Sequence, residues 1–402
     1  VVQIAWLGKK SPFCGNVTYG LSTTESLRRR GHAVHFIHFD TPAAPLGAPL
    51  GRAEGAGSPQ AVALQAGEAL QEPEVTLPYL VKSQVYTIPS PGAQRELRES
   101  LERIRPDLVH ASLTLSPLDF RLPDLCQQLG LPLVATFHPA FDAGLRNLSA
   151  GTQQLTYQLY APSLARYDRV IVFSELQADV LERLGVRRER LAVIPNGVDT
   201  DLWAPAPKTP GPLLSDLRRR YAGRRVFLYM GRITTEKNLE ALLKAWRLVR
   251  PAGCVLVIVG DGPLRASLQN PGEPDVEWWG YEAGLERRIA LLQLAEVFLL
   301  PSLVEGLSLA LLEAMAAGAA CVATDAGADG EVLEGGAGIV ISTQGVTTQL
   351  RTLLPVLRDQ PVLTAELGRR ARARVIERYT LTRNIDALEK LYAELTPEPV
   401  AA

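Results

Sequence analysis

Cysteine, methionine and histidine are scarce in this chain, net charge is almost absent, and no apolar run is long. The cysteines, Cys14, Cys126, Cys254 and Cys321, lie far apart with no C-x-x-C pair and no metal-ligand spacing, which argues against a zinc module or a dithiol redox centre. Those in apolar or helical runs are expected as core thiols, and a reducing cytoplasm fits this usage. The formal net charge is -1, and residues 1–200 carry 19 Lys and Arg against 19 Asp and Glu. Neither half has the basic excess that nucleic acid binding would need. The most apolar stretch, Leu307 to Ala323, is broken by Glu313 and is too short to span a bilayer. Val1 to Leu7 reads as a strand and not as a signal sequence. Any contact with membrane is therefore expected from the surface, by a cytoplasmic protein.

What is present is a repeated alternation of short apolar runs and helical stretches. With 402 residues the chain exceeds one ordinary core, so two domains of roughly 200 residues each are expected. Strands are expected at Val2–Leu7, Val34–Phe39, Leu108–Ala111, Leu133–Phe137, Val170–Phe173 and Leu191–Ile194. A second set follows at Val226–Met230, Val255–Val259, Val276–Trp279, Val297–Leu300, Cys321–Thr324 and Ile339–Ile341. Several are continuously apolar, as parallel strands covered on both faces require. Helices are expected between them at Leu21–Arg30, Ala93–Arg105, Gln177–Leu184, Leu239–Val249 and Leu285–Ala295. The pattern reads as α/β with a parallel sheet, occurring twice. Pro195-Asn196-Gly197-Val198-Asp199 closes the first half, and Ala204 to Pro212 is a linker with four prolines. The domains are placed at 1–200, joined by a final helix from about 380, and at 201–379. Residues 41–78, rich in Gly, Pro and Ala without a period, are expected as a flexible loop.

The most informative segment runs from Glu305 to Glu313. Glu305 sits on a loop after the strand ending near Pro301, and Glu313 lies eight residues on, inside the helix that the loop opens. The first turn of that helix offers free amides and the positive end of its dipole to a phosphate. Two carboxylates flanking it can accept hydrogen bonds from hydroxyls on either side, as in a sugar–diphosphate–ribose ligand. Arg232 and Lys237 follow the strand Val226–Met230 and could neutralise a diphosphate, although alone they would pass as surface cations on a turn. Gly260-Asp261-Gly262-Pro263 leaves another strand in a tight turn. Tyr281, after Trp279-Gly280, is either a wall for a nucleobase or a core aromatic. The loop Ser11 to Gly20 follows the first strand and lacks the G-x-G-x-x-G of dinucleotide-binding folds. His138 follows Leu133–Phe137 at a strand's carboxyl end, equally compatible with a structural and a functional role.

In this order the residues resemble the retaining glycosyltransferases of the two-Rossmann-domain (GT-B) architecture, family 4, over nearly the full length. The resemblance rests on Glu305…Glu313, Arg232…Lys237, Gly260–Pro263 and Pro195–Asp199. It implies two domains facing across a cleft, with a last helix near Leu381–Leu395 crossing back to the first domain. It implies a nucleotide-sugar donor, no metal and no other cofactor. Arg232 and Lys237 would bind the diphosphate and Glu305 the donor sugar, with Glu313 on the ribose. Gly306, Leu307 and Ser308 would offer amides, Gly15 would lie against the donor, and His138 would line the reacting face. Cys14-Gly15-Asn16 stands where the family often has a Gly-Gly pair, and Asn238 replaces a frequent glycine.

Lys10 to Gly20 and Val109 to Phe120 further resemble the cyanobacterial-type digalactosyldiacylglycerol synthases. That narrower likeness implies UDP-galactose as donor and a galactolipid acceptor met at a membrane surface. Leu145, Leu148, Leu155, Tyr157, Leu159 and Tyr160, with Arg146 and Arg166, could present apolar and basic groups to a bilayer, or form an ordinary buried helix. Rival readings are a family-4 enzyme using UDP-glucose or GDP-mannose with a sugar-phosphate or polysaccharide acceptor, a phosphorylase of like architecture, and a non-catalytic nucleotide-sugar-binding protein.

Overall fold

A computed structural model describes residues 1–11, 14–42, 74–83, 85–142 and 144–396. Its strands are β1 (Gln3–Leu7), β2 (Ala33–Pro42), β3 (Glu74–Lys82), β4 (Thr87–Pro89), β5 (Leu108–Ser112), β6 (Leu133–Thr136), β7 (Arg169–Val172) and β8 (Leu191–Val193). They continue as β9 (Arg225–Met230), β10 (Cys254–Val259), β11 (Val276–Gly280), β12 (Val297–Leu300), β13 (Ala320–Thr324) and β14 (Ile339–Ile341). All twelve expected strands are present. An eight-stranded sheet has the order β4-β3-β2-β1-β5-β6-β7-β8, and a six-stranded sheet the order β11-β10-β9-β12-β13-β14. Pairing is parallel at β1–β2, β1–β5, β9–β10 and β12–β13, and antiparallel only at β3–β4 among the registers defined. This is the two-domain α/β GT-B architecture that the sequence pattern implies.

The chain divides into two compact units, Val1–Phe137 with Arg166–Val170 and Lys390–Ala402, and His138–Ala165 with Ile171–Glu389. In the first, β1 is buried from Ile4 to Leu7, and His110 of β5 stacks on Trp6 with ring centroids 4.1 Å apart. His110 Nδ1 also lies 2.5 Å from Tyr392 Oη, and its Nε2 lies 2.7 Å from Thr136 Oγ1. Tyr392 belongs to the helix Leu381–Leu395, which occurs at the span expected. In the second unit, β10, β12 and β13 are buried along their whole length, so helices must cover both faces of this sheet. Cys126, Cys254 and Cys321 are buried thiols, and Cys14 is half-buried.

Two expectations need correction. Thr41 and Pro42 end β2, and Glu74 to Pro78 begin β3, so these parts of 41–78 are strand; residues 43–73 lie outside the described residues. Backbone pairing with β2 and β4 decides β3, whose side chains are half exposed and carry no continuous apolar signal. The proline-rich linker gives way to a helix at Pro212, where proline is pre-organised for a first helical turn. Among the described residues no helix is long and apolar enough to cross a membrane.

Candidate functional site

In the second sheet the strand order reverses between β9 and β12, because β10 and β11 extend one way and β13 and β14 the other. Loops leaving the carboxyl ends of strands on either side of such a reversal diverge and leave a crevice, the usual ligand position in open α/β sheets. Gly231 to Asn238 leaves β9, and Pro301 to Ser308 leaves β12. Three contacts tie these loops together. Leu303 N donates to Glu236 O at 2.8 Å, Asn238 Nδ2 to Pro301 O at 3.2 Å, and Lys237 Nζ to Glu305 Oε1 at 2.6 Å. Asn238 adopts a left-handed φ of 53°, a conformation asparagine tolerates better than most residues, which accounts for its standing where glycine is frequent.

Glu305 is 6% exposed and Lys237 only partly so, which leaves this ion pair poorly screened. Ser302 Oγ donates to the same carboxylate oxygen at 2.6 Å. A buried carboxylate held by a cation and a hydroxyl stays aimed while a ligand enters. Arg232 is arranged differently. Its side chain is 41% exposed and its guanidinium pairs with Glu236 at 3.2 Å, while its carbonyl accepts from Tyr229 Oη at 2.6 Å.

The Gly260 turn packs directly on the β9 loop. Gly260 has φ 141°, and a Cβ there would lie 1.8 Å from Gly231 O, so no other residue fits. Ile233 N donates to Asp261 O at 2.9 Å, closing the turn against Gly231–Ile233. Tyr281 follows β11 and is 59% exposed, whereas Trp279 is partly buried and donates to Glu282 Oε2 at 3.0 Å. Of these two aromatics only Tyr281 is open to a ligand.

Ser308 caps the helix Leu309–Ala316, its hydroxyl accepting from Leu311 N at 3.2 Å. Its own amide donates to Asp329 Oδ1 at 3.0 Å. This corrects the expectation that Ser308 offers its amide to a ligand, since a buried carboxylate already occupies it. The amides of Gly306 and Leu307 have no such partner among the described residues. Glu313 lies within the helix, buried, and its carboxyl is pushed up to about 7 by desolvation, against which the Arg288 charge acts.

His138 is half-buried, with its ring centroid 5.4 Å from that of Phe173. Its backbone reaches the β12 loop: a Cβ on Gly306 would come within 3.1 Å of His138 O, and Phe141 N donates to Glu305 O at 2.8 Å. His138 is thereby brought beside the glutamate loop by main-chain pairing. Gly15 opens the helix Gly15–Arg29 of the first unit, exposed and with nothing within 4 Å of a Cβ built on it. The basic groups suggested for a membrane face are engaged elsewhere. Arg146 pairs with Asp142 at 2.6 Å and Asp325 at 2.8 Å, Arg166 pairs with Asp124, and Tyr157 and Tyr160 are buried. Polarity alone does not reveal such pairings, because Asp325 and Asp124 are remote in sequence.

Residues 15–202 match the model of Glycosyltransferase Family 4, and residues 224–359 that of Glycosyl transferases group 1. The chain carries the domain pair of the GT-B glycosyltransferases. A UDP-Gal:alpha-D-GlcNAc-diphosphoundecaprenol alpha-1,3-galactosyltransferase of Escherichia coli is 26% identical to this GT-B chain over 57% of its residues. Alpha-maltose-1-phosphate synthase of Mycolicibacterium smegmatis is 28% identical, over 66% of this chain and 74% of the synthase. For three relatives, the galactosyltransferase included, the match spans only 58%, 37% and 41% of their length. The crystal structure of Anabaena HepE in complex with UDP-glucose shares the fold, with a TM-score of 0.71 and 18% identity over 98% of this chain and all of the other.

Sequence reasoning about this GT-B chain missed Ser302, Asp329 and the Phe141–Glu305 bridge. Ser302 stands three residues before Glu305 and was open to a local reading. Asp329 lies 21 residues beyond Ser308, and only folding of β13 beside β12 brings the two together.

Proposed function

We propose that this chain is a retaining hexosyltransferase that moves a sugar from a nucleoside diphosphate donor, UDP-galactose, to a glycolipid acceptor such as monogalactosyldiacylglycerol, without a metal ion. The observation that carries the donor half is Lys237 clasping buried Glu305 at the strand-order reversal, beside the glycine turn at Gly260. On this reading Glu305 accepts from sugar hydroxyls, Glu313 from the ribose, and the diphosphate lies by Gly306, Leu307, Arg232 and Lys237. Tyr281 and Gly260 flank the nucleotide, while His138 approaches the sugar.

The bond between the sugar C1 and the diphosphate oxygen breaks, and the electron pair leaves with the nucleoside diphosphate. Arg232 and Lys237 stabilise that charge. The acceptor oxygen forms its bond to C1 on the face that the diphosphate leaves, and its proton passes to the departing phosphate oxygen. No protein nucleophile of the kind used by retaining glycosidases is required.

Support for UDP-galactose and a lipid-borne acceptor comes from the relative named for UDP-Gal and a diphosphoundecaprenol acceptor. A second support is the helix Leu148–Leu164. Its exposed positions are Leu148, Gly151, Thr152, Leu155, Gln158, Leu159 and Pro162, a stripe at helical spacing without one charge. Such a stripe suits the apolar boundary of neutral lipid better than open water. The deciding experiment incubates UDP-galactose, UDP-glucose and GDP-mannose separately with monogalactosyldiacylglycerol and reads products by mass spectrometry and anomeric NMR. An α-linked dihexosyl lipid from UDP-galactose alone is expected. Transfer only to soluble sugars would discard the lipid acceptor, and an inverted anomer would discard retention.

A further inference from the structure

One acidic side chain beside the glutamate loop has no part in the chemistry above. Asp329 is fully buried, at the first turn after β13. Its Oδ1 accepts from Ser308 N at 3.0 Å, while its Oδ2 is buried with no hydrogen-bond partner among the described residues. The surrounding backbone is laced to the same loop. Ala328 N donates to Gly306 O at 2.9 Å, and Gly327, at φ 55°, sits so close that a Cβ would lie 2.0 Å from Glu305 O. An apolar side chain would avoid the desolvation of a carboxyl group and its half-satisfied oxygens, so retaining an acid here calls for another explanation. Burial, with the Glu305 charge next, raises the Asp329 carboxyl well above the usual range, while the Ser308 amide and Lys237 act against this.

We propose that Asp329 is a positioning residue for the nucleotide-sugar loop: by holding the Ser308 amide it turns that group inward and leaves the preceding amides, of Gly306 and Leu307, facing the diphosphate. The inference rests on the donor-site reading above. It adds that the loop's shape is set from behind by the β13 turn, before any ligand binds. With the Ser308 amide pinned, the capping hydroxyl of Ser308 also stays on Leu311 N, so the helix start and the loop are fixed together.

The test uses the full chain, UDP as probe, and Asp329→Ala beside Asp329→Asn. Asparagine keeps an acceptor for the Ser308 amide and cannot ionise; alanine removes the acceptor. In Asp329→Ala, amide hydrogen exchange at Ser308 without ligand is expected to quicken about tenfold or more, and UDP affinity by calorimetry to fall about tenfold, as for loss of one buried hydrogen bond. Asp329→Asn should restore both to within about threefold of the parent. Asp329→Ser, too short to reach the amide, replaces the alanine variant should that chain not fold. Parent-like UDP affinity in the alanine or serine variant overturns the proposal, as does an asparagine variant as impaired as alanine. If the parent itself binds no UDP, the donor-site reading fails. Unchanged Ser308 exchange would separately refute the loop-holding role.

Discussion

Lys237 and Glu305 divide one task between them. The glutamate is buried and would be costly to leave charged alone, while the lysine is held where a diphosphate would need it. Lys237→Ala removes the cation and strands the carboxylate. We expect kcat to fall by about 10²–10³, on the scale of losing one electrostatic donor at a developing charge, measured with saturating donor. Arg232, more exposed and paired to Glu236, should be less needed for the resting fold than for turnover. Glu313 makes a prediction of opposite kind. Burial pushes its carboxyl up to about 7, from the usual 4.5. Because the folded state binds this proton more tightly than the unfolded one, the stabilisation it confers is complete below the unfolded value and is lost as pH rises through 7. The loss is about 3 kcal/mol over that window, from the linkage of one pKa unit to about 1.4 kcal/mol. Glu313→Gln should flatten this part of the pH dependence of urea unfolding between pH 5 and pH 8. An unchanged slope would refute the assignment.

At the scale of elements, the β9 and β12 loops carry the site because the strands beneath them are rigid and buried. Their positions were legible in the sequence as short, continuous apolar runs such as Val255–Val259 and Val297–Leu300. Strands β3 and β4 were not, since Glu74–Lys82 is half exposed and interrupted by Pro78, and its order comes from pairing with β2. Helices Val346–Asp359 and Pro361–Arg378 also escaped the sequence reading, the first carrying an internal Pro355 and the second starting on Pro361. The helix Leu148–Leu164 was ambiguous until its faces were known: Tyr157 and Tyr160 point inward, and the uncharged stripe points outward. Changing Leu155 and Leu159 together to Glu alters exposed positions only, so unfolding stability should move by no more than about 0.5 kcal/mol per site. Flotation on neutral galactolipid vesicles should be lost, while UDP binding persists. Undiminished flotation would remove this helix from the lipid contact.

For the molecule as a whole, the two domain matches, to residues 15–202 and 224–359, bracket the Pro-rich segment near Ala204–Pro212, and the last helix contributes residues to both compact units. A donor site formed by loops of one folded unit should report ligand binding as global stabilisation. UDP at about a hundred times its dissociation constant should add about 2.7 kcal/mol to unfolding, by mass action on the native state alone. The proposed metal-free chemistry further requires that EDTA change neither that increment nor turnover. A loss restored by magnesium or manganese would overturn it.

The sequence by itself determined the strand-and-helix alternation and the spacing of Glu305, Glu313, Arg232 and Lys237, because hydrophobic period and motif spacing are local properties of the chain. The parallel pairing of β9 with β12 decided which of those groups meet. It joined Lys237 to Glu305 across 68 residues, while the pairing of β12 with β13 withdrew the Ser308 amide to Asp329. Those are choices among competing partners, and only the packed backbone, by bringing one within about 3 Å and burying it, selects among them.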